Sequence, residues 1–326
     1  MKQTRTGISA FLIVFLSMVS INFVLAEGQM QPAAPETVGL KVVASTSIVY
    51  DVVRTIAGKD ADVYGLIKPG IDPHGFEPAP RDIARAESAD LIFVNGFGLE
   101  ENLLSTLEKV KPNAVVEVSS LIDPIEGGGE VHGEHAADHH HAIDPHTWMS
   151  PMNVISWVDV IEGALSKADP AHRASYSERA SAYRQALIGL HTKIEEEVAK
   201  IPVGQRVLLT DHNTLGYFAR DYGFKVVGSI LSGFSSNTEP SAKDLASLAG
   251  IIREHDVQVV FIGETAGDRV LKLSKTLSET VSRPIDVRML LTGSLTEKGG
   301  PGDTYLSFMK YDAGQIVDGL SGGAGR

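Results

Sequence analysis

Three of the eleven histidines stand where they could do chemistry together. His74 lies in Ile71-Asp72-Pro73-His74 and His146 in Ile143-Asp144-Pro145-His146, so the same tetrapeptide occurs twice, 72 residues apart. Proline fixes its own φ and disfavours helix before it, so each imidazole is presented from a rigid turn. His212 follows Asp211 and the apolar run Val207–Thr210, at the carboxyl end of a candidate strand. Imidazoles carried by separate rigid elements, with carboxylates beside them to fix their tautomers, are what a metal site requires. One Asp-Pro-His reads as a capped turn, but its recurrence together with a strand-end histidine makes a His-lined site an equal reading. His172, His191 and His255 have no such context and read as solvated surface residues.

A second group, His132, His135, His139, His140 and His141, sits in a Gly-rich stretch over 127–142 with Glu130, Glu134 and Asp138. Such a tract reads as a mobile, metal-attracting loop that takes Zn²⁺, Ni²⁺ or Cu²⁺ with little geometric selectivity.

Composition narrows what these residues can serve. The 326 residues contain no cysteine, which excludes disulfides, thiolate catalysis, iron–sulfur clusters and Cys-type zinc sites. Any metal must be held by His, Asp, Glu or water. A net charge of −12 argues against a nucleic-acid partner, because phosphate contacts need a basic face. At 43% hydrophobic residues the chain has enough apolar side chains for sizeable cores, and its length suits two domains of about 150 residues.

Lys2 and Arg5, the uncharged apolar stretch Ile8–Leu25, and Val24 and Ala26 at a small-residue cleavage pattern predict a signal peptide over 1–26. Its removal takes two basic and no acidic residues from 29 and 41, moving the net charge from −12 to −14. The mature protein is then expected in the periplasm. Residues 27–38 read as a disordered tail.

The elements that must position the histidines follow. Val42–Ala44, Leu91–Val94 and Val115–Val118 read as strands, interleaved with a helix carrying Ile48, Val49, Val52, Val53 and Ile56 and another carrying Leu99, Leu103 and Leu107. Residues 151–201 offer only helix, broken at Asp169-Pro170. Strand–helix alternation then resumes with Val207–Thr210, Val226–Ile230 and Val257–Ile262. Ser241 and Asp244 form a capping-box pattern, and Asp303 is placed to cap a closing helix. The predicted fold is α/β, with two lobes, each a parallel sheet flanked by helices, joined by one long helix. The expected divisions are an N-terminal lobe over 39–168 carrying the loop 127–142, a linking helix over 169–202 and a C-terminal lobe over 203–326. In open α/β sheets ligands bind beyond the carboxyl ends of the strands, which places the site in the interlobe cleft.

Several runs, taken in order, resemble those of one family. They are Val42-Val43-Ala44-Ser45-Thr46, Pro73-His74-Gly75-Phe76-Glu77-Pro78, Asp144-Pro145-His146-Thr147-Trp148, His212-Asn213-Thr214-Leu215-Gly216-Tyr217-Phe218 and Gly300-Pro301-Gly302-Asp303-Thr304-Tyr305. The family is the periplasmic metal-binding (solute-binding) proteins of zinc and manganese ABC transporters, cluster A-I, also called cluster 9, and the resemblance spans about residues 39 to 322. It implies two α/β lobes joined by a rigid helix, with metal ligands at His74, His146 and His212. A histidine at the third position and a His-rich loop resemble the zinc branch. The family often supplies an Asp where this chain has Gly293, so water, Glu264 or a loop histidine stands as the fourth ligand. The resemblance implies no catalysis, Zn²⁺ as transported ligand, an inner-membrane ABC permease as partner, a monomer, and room for a metallochaperone. Two other readings remain open: a manganese or iron binder of the same fold, and a zinc hydrolase using a three-His site, since a zinc with an open position lowers the pKa of bound water to about 7.

Overall fold

Short apolar runs unbroken by charge become the inner strands. The computed structural model describes residues 39–126, 143–231, 233–234 and 241–322, with side chains for all of these except residues 266–269. The proposed leader 1–26, the tail 27–38 and the His-rich loop 127–142 lie outside the described residues. Strands β1 (Leu40–Ala44), β2 (Ala61–Gly65), β3 (Leu91–Val94) and β4 (Val115–Glu117) form one sheet in the order β2-β1-β3-β4, with every pair parallel. Strands β5 (Val207–Thr210), β6 (Lys225–Ser229), β7 (Val259–Gly263) and β8 (Asp286–Leu290) repeat the plan as β6-β5-β7-β8, again all parallel.

Each sheet is covered on both faces, and alternate side chains serve different layers. In the first lobe Val43, Ile92 and Val94 pack outward with Ala86 of α2 (Pro80–Glu87) and Leu103 and Leu107 of α3 (Glu101–Val110). In the second, Leu209, Val260 and Ile262 pack outward with Leu248 and Ile252 of α7 (Ala242–Glu254) and Leu277 of α8 (Gly267–Val281). The inward residues Val42, Ala44, Phe93, Leu208, Val259 and Phe261 all enter one common core. That core also takes α1 (Ser47–Ala57), α4 (Pro151–Ala168), α6 (Gly216–Tyr222) and α9 (Tyr305–Ser321). Through it runs the long helix α5 (Arg173–Val198), whose buried face is Tyr176, Ala180, Tyr183, Leu187, Leu190, Ile194 and Val198, a spacing of three and four. This is the two-lobe α/β architecture expected from the sequence, with the lobes sharing their inner core.

Two strands escaped the sequence reading. β2 and β8 are edge strands whose apolar residues are interrupted by Asp62, Asp286 and Arg288, so neither shows an unbroken apolar run. The closing helix is capped by Thr304, whose side chain accepts from Ser307 N–H, rather than by Asp303. Asp303 instead accepts from Gly299 N–H at 2.9 Å, tying off the preceding turn. The Ser241–Asp244 capping box forms as expected. Among the described residues no helix is long and apolar enough to cross a membrane.

Candidate metal centre

Asp-Pro-His occurs twice because it builds the same local turn twice. In the first lobe, Asp72 Oδ1 accepts the backbone N–H of His74 at 2.9 Å, and Pro73–Gly75 form a single 3₁₀ turn after β2. At the second copy Asp144 Oδ1 accepts the backbone N–H of His146 at 2.9 Å. An aspartate bonding two residues ahead, with proline presetting φ between, needs no distant partner. Asp144 does more, because the same oxygen lies 2.8 Å from His146 Nδ1. With the proton on Nδ1, facing that oxygen, Nε2 keeps its lone pair and is turned toward His74 Nε2.

His212 leaves the carboxyl end of β5, the strand at which the order of the second sheet reverses. Asp211 Oδ2 accepts Gly263 N–H at 3.2 Å and lies 3.3 Å from His212 Nδ1. His212 is buried, and among the described residues neither of its ring nitrogens has a hydrogen-bond partner. A buried imidazole with both nitrogens unbonded is costly unless something else takes a lone pair.

The three imidazoles converge. His74 Nε2 and His146 Nε2 are 3.1 Å apart, and the ring centroids of the trio are separated by 5.1, 5.4 and 5.2 Å. One nitrogen from each residue lies within 4.8 Å of the others. A tetrahedral zinc with nitrogens at ~2.05 Å separates its ligands by ~3.3 Å, close to the His74–His146 spacing. Burial, reinforced by the neighbouring His146 and His212, pushes the His74 imidazole down to about 3. Burial also drives His146 well below its ordinary value. Both are therefore neutral at pH 7, with lone pairs available to a cation.

Other expected residues fall differently. Glu264 is exposed on the 3₁₀ turn after β7 and is not part of the three-His group. It lines a cavity of about 290 Å³ with Pro69, Gly70, Thr265, Leu291 and Ser294. Among the described residues no carboxylate joins the three imidazoles. At Gly293 a Cβ would stand 3.6 Å from Pro73 Cδ and 3.8 Å from Thr265 Oγ1, ordinary contact distances beside the His74 turn. His132, His135, His139, His140 and His141 lie outside the described residues.

Supporting residues that sequence reasoning missed come from far along the chain. Asn95 Nδ2 donates to the Pro145 carbonyl at 2.9 Å, and Tyr217 O–H to the Asp144 carbonyl at 3.0 Å. Trp148 Nε1 donates to the Thr292 carbonyl at 2.6 Å. Two glycines keep the carboxylates in place. A Cβ at Gly216 would overlap Asp144 Oδ2, and one at Gly263 would overlap Thr292 Oγ1 and come within 3.3 Å of Asp211 Oδ2. No local spacing betrays any of these contacts.

Two facing α/β lobes with a three-imidazole cluster between them define a binding protein for a divalent metal. The comparisons name the family. A profile described as "ZnuA: Zinc-uptake complex component A periplasmic" matches residues 42–319. The iron-binding protein YfeA of Yersinia pestis is 33% identical over 312 residues, covering 95% of this chain and 94% of that protein. The manganese-binding lipoprotein MntA of Halalkalibacterium halodurans is 33% identical, covering 87% of this chain and 89% of that one. Among solved structures, the periplasmic zinc binding protein TroA from Treponema pallidum superposes with a TM-score of 0.76 at 28% identity, covering 86% of this chain and 99% of that one. The chain belongs to this family of periplasmic metal-binding substrate-binding proteins of ABC importers, cluster A-I, and not to an enzyme family. Its members work with a membrane permease and an ATPase. The relatives' names divide among iron, manganese and zinc, so membership assigns a divalent metal and leaves the choice to the site.

Proposed function

We propose that the cargo is Zn²⁺, held by His74, His146 and His212 and delivered to the permease of an ABC importer. What carries the reading is the convergence of three imidazole nitrogens within 4.8 Å, joined by no carboxylate among the described residues. Neutral imidazoles suit a borderline cation such as Zn²⁺, whereas Mn²⁺ prefers oxygen-rich sites of higher coordination number. The Asp144–His146 contact of 2.8 Å supports it further, because a carboxylate behind a ligating imidazole orients the ring and raises its basicity.

Around this core we place an auxiliary role for the His-rich loop, which captures metal and passes it to the cleft. Residues 1–26 act as a cleaved leader, and the mature protein works in the periplasm as a monomer. Several relatives are named lipoproteins, but this sequence has no cysteine to carry a thioether-linked lipid. A metallochaperone is a compatible loading partner.

The test is metal competition on protein stripped and then offered Zn²⁺ and Mn²⁺ together, beside a variant lacking residues 130–141. One tightly held zinc in the loop-deleted protein, weakened strongly by His74→Ala, His146→Ala or His212→Ala, is the expected result. Preferential retention of manganese, or unchanged zinc affinity in all three variants, overturns it. Collapse of core affinity on loop deletion would instead make a loop histidine the fourth ligand.

A further inference from the structure

Residues 291–295 follow β8 and belong by sequence to the second lobe, yet most of their hydrogen bonds are made with the first. Trp148 Nε1 donates to the Thr292 carbonyl at 2.6 Å. Ser47 Oγ, at the start of α1, accepts Leu295 N–H at 3.0 Å and lies 3.1 Å from Ser294 Oγ. Gly70 N–H is shared between Ser294 Oγ at 2.9 Å and the Leu295 carbonyl at 3.1 Å. From the second lobe's side, Asp312 Oδ1 accepts Leu291 N–H at 2.8 Å.

Further along, the chain is fastened again. Asp51 Oδ2 in α1 accepts the N–H of Tyr305, the first residue of α9, at 2.9 Å. Tyr305 O–H in turn donates to the Trp148 carbonyl at 2.7 Å. Both Ser47 and Trp148 are buried, so these bonds form away from competing water.

Residues 291–295 form a strap that borders neighbours of all three histidines. Gly293 lies against Pro73, the residue before His74. Thr292 is bonded to Trp148, whose ring is 5.2 Å from the His146 ring. The Thr292 hydroxyl occupies the space where a Cβ on Gly263 would sit, and that same space borders Asp211 Oδ2, the carboxylate 3.3 Å from His212. Thr292 itself holds φ at +31°, a left-handed value unfavourable for a β-branched residue. Such strain persists only where the surroundings over-determine the backbone, as the bonds from Trp148, Ser47 and Asp312 do here.

The shared inner core bears on how the metal leaves. Because Val42, Phe93, Leu208 and Phe261 pack in one cluster with α5, wide separation of the lobes would expose core surface. Local movement of residues 291–295 would disturb only Leu291 and Leu295 of that core. We propose that Ser47 and Trp148 are positioning residues: they hold residues 291–295 across the three-His cluster and thereby set the rate at which the metal leaves. The proposal rests on the cargo reading above.

The test is stopped-flow release of Zn²⁺ to a chelator from wild type, Ser47→Ala, Ser47→Thr and Trp148→Phe, the last keeping an aromatic side chain, smaller than the indole, but removing the donor. Ser47→Ala and Trp148→Phe should each raise the off-rate about fivefold, the effect of one net hydrogen bond, with the on-rate unchanged. Ser47→Thr, which keeps the hydroxyl, should return close to wild type. Amide hydrogen exchange at residues 291–295 should quicken in the same two variants. Should Ser47→Ala destabilise the fold, Ser294→Ala removes the partner hydroxyl from the other lobe and must give the same faster release. Off-rates within twofold of wild type, or lowered thermal midpoints with no change in off-rate, overturn the proposal. A wild-type chain that retains no tight zinc overturns the cargo reading, and this one with it.

Discussion

Oδ1 of Asp144 serves His146 twice, accepting its backbone N–H at 2.9 Å and facing its Nδ1 at 2.8 Å. One oxygen therefore shapes the turn and selects the tautomer. Burial pushes the Asp144 carboxyl up to about 7, against the lowering effects of His146 N–H and His212. A cation at the cluster would favour its ionised form.

Asp144→Asn keeps an oxygen able to accept the backbone N–H but removes the charge behind the imidazole. Zinc affinity should fall by roughly 10- to 100-fold, the range found for groups that orient ligating histidines. A competition titration against a chelator of known strength reads this directly. Affinity equal to wild type would mean that the contact serves the turn alone.

The metal-free protein should lose stability as the solution is acidified. His74 is brought down to about 3 by burial first and by the adjacent His146 and His212 next. The unfolded chain, with its imidazole near 6.5, then binds the proton more readily than the folded one. This group's contribution is present above about pH 6.5 and is lost as pH falls towards 3. Asp144 and Asp312, each raised to about 7 chiefly by burial, act in the opposite sense, their contribution fading as pH rises from about 4 to 7. The difference between wild type and His74→Gln isolates the histidine. Denaturant unfolding at pH 4, 5, 6 and 7 should show a gap that changes with pH, and a constant gap would refute the assignment.

Gly216→Ala should harm both fold and site. A Cβ there would collide with Asp144 Oδ2, and the carboxylate cannot move without losing His146. Overpacking of this kind costs roughly 1–3 kcal/mol. Gly314→Ala on α9, where a Cβ meets nothing within 4 Å, is the control and should be neutral or slightly stabilising. The paired measurement is a thermal midpoint and a zinc titration for each variant.

Gly293→Asp tests the metal preference from the opposite direction. The space beside Pro73 and Thr265 admits a side chain at contact distances of 3.6 and 3.8 Å. A carboxylate placed there would add oxygen to an all-nitrogen set and should raise retention of Mn²⁺ relative to Zn²⁺. Competition between the two metals on loop-deleted protein measures the ratio. A ratio unchanged from wild type would show that position 293 does not reach the metal.

Local chemistry was legible wherever it is carried by near neighbours. The two Asp-Pro-His turns close over two residues, the Ser241–Asp244 box over three, and both read correctly from sequence. Continuous apolar runs marked the inner strands because both faces of those strands are buried. The edge strands β2 and β8 were hidden, since partial exposure lets charge interrupt the run. The cap of α9 was misplaced by one residue, because Asp303 and Thr304 are both competent caps and only the turn at Gly299 decides between them.

The sequence by itself determined the Asp-Pro-His turns, the strands other than β2 and β8, the absence of sulfur ligands and three candidate metal-binding histidines. What it could not decide was which groups meet. His74, His146 and His212 are separated by 72 and 66 residues, and Trp148 lies 144 residues from the carbonyl it holds. Contacts of that span leave no periodicity to read. They arise only when two sheets share an inner core, because packing inward side chains from both lobes against α5 is what sets one lobe's turns against the other's.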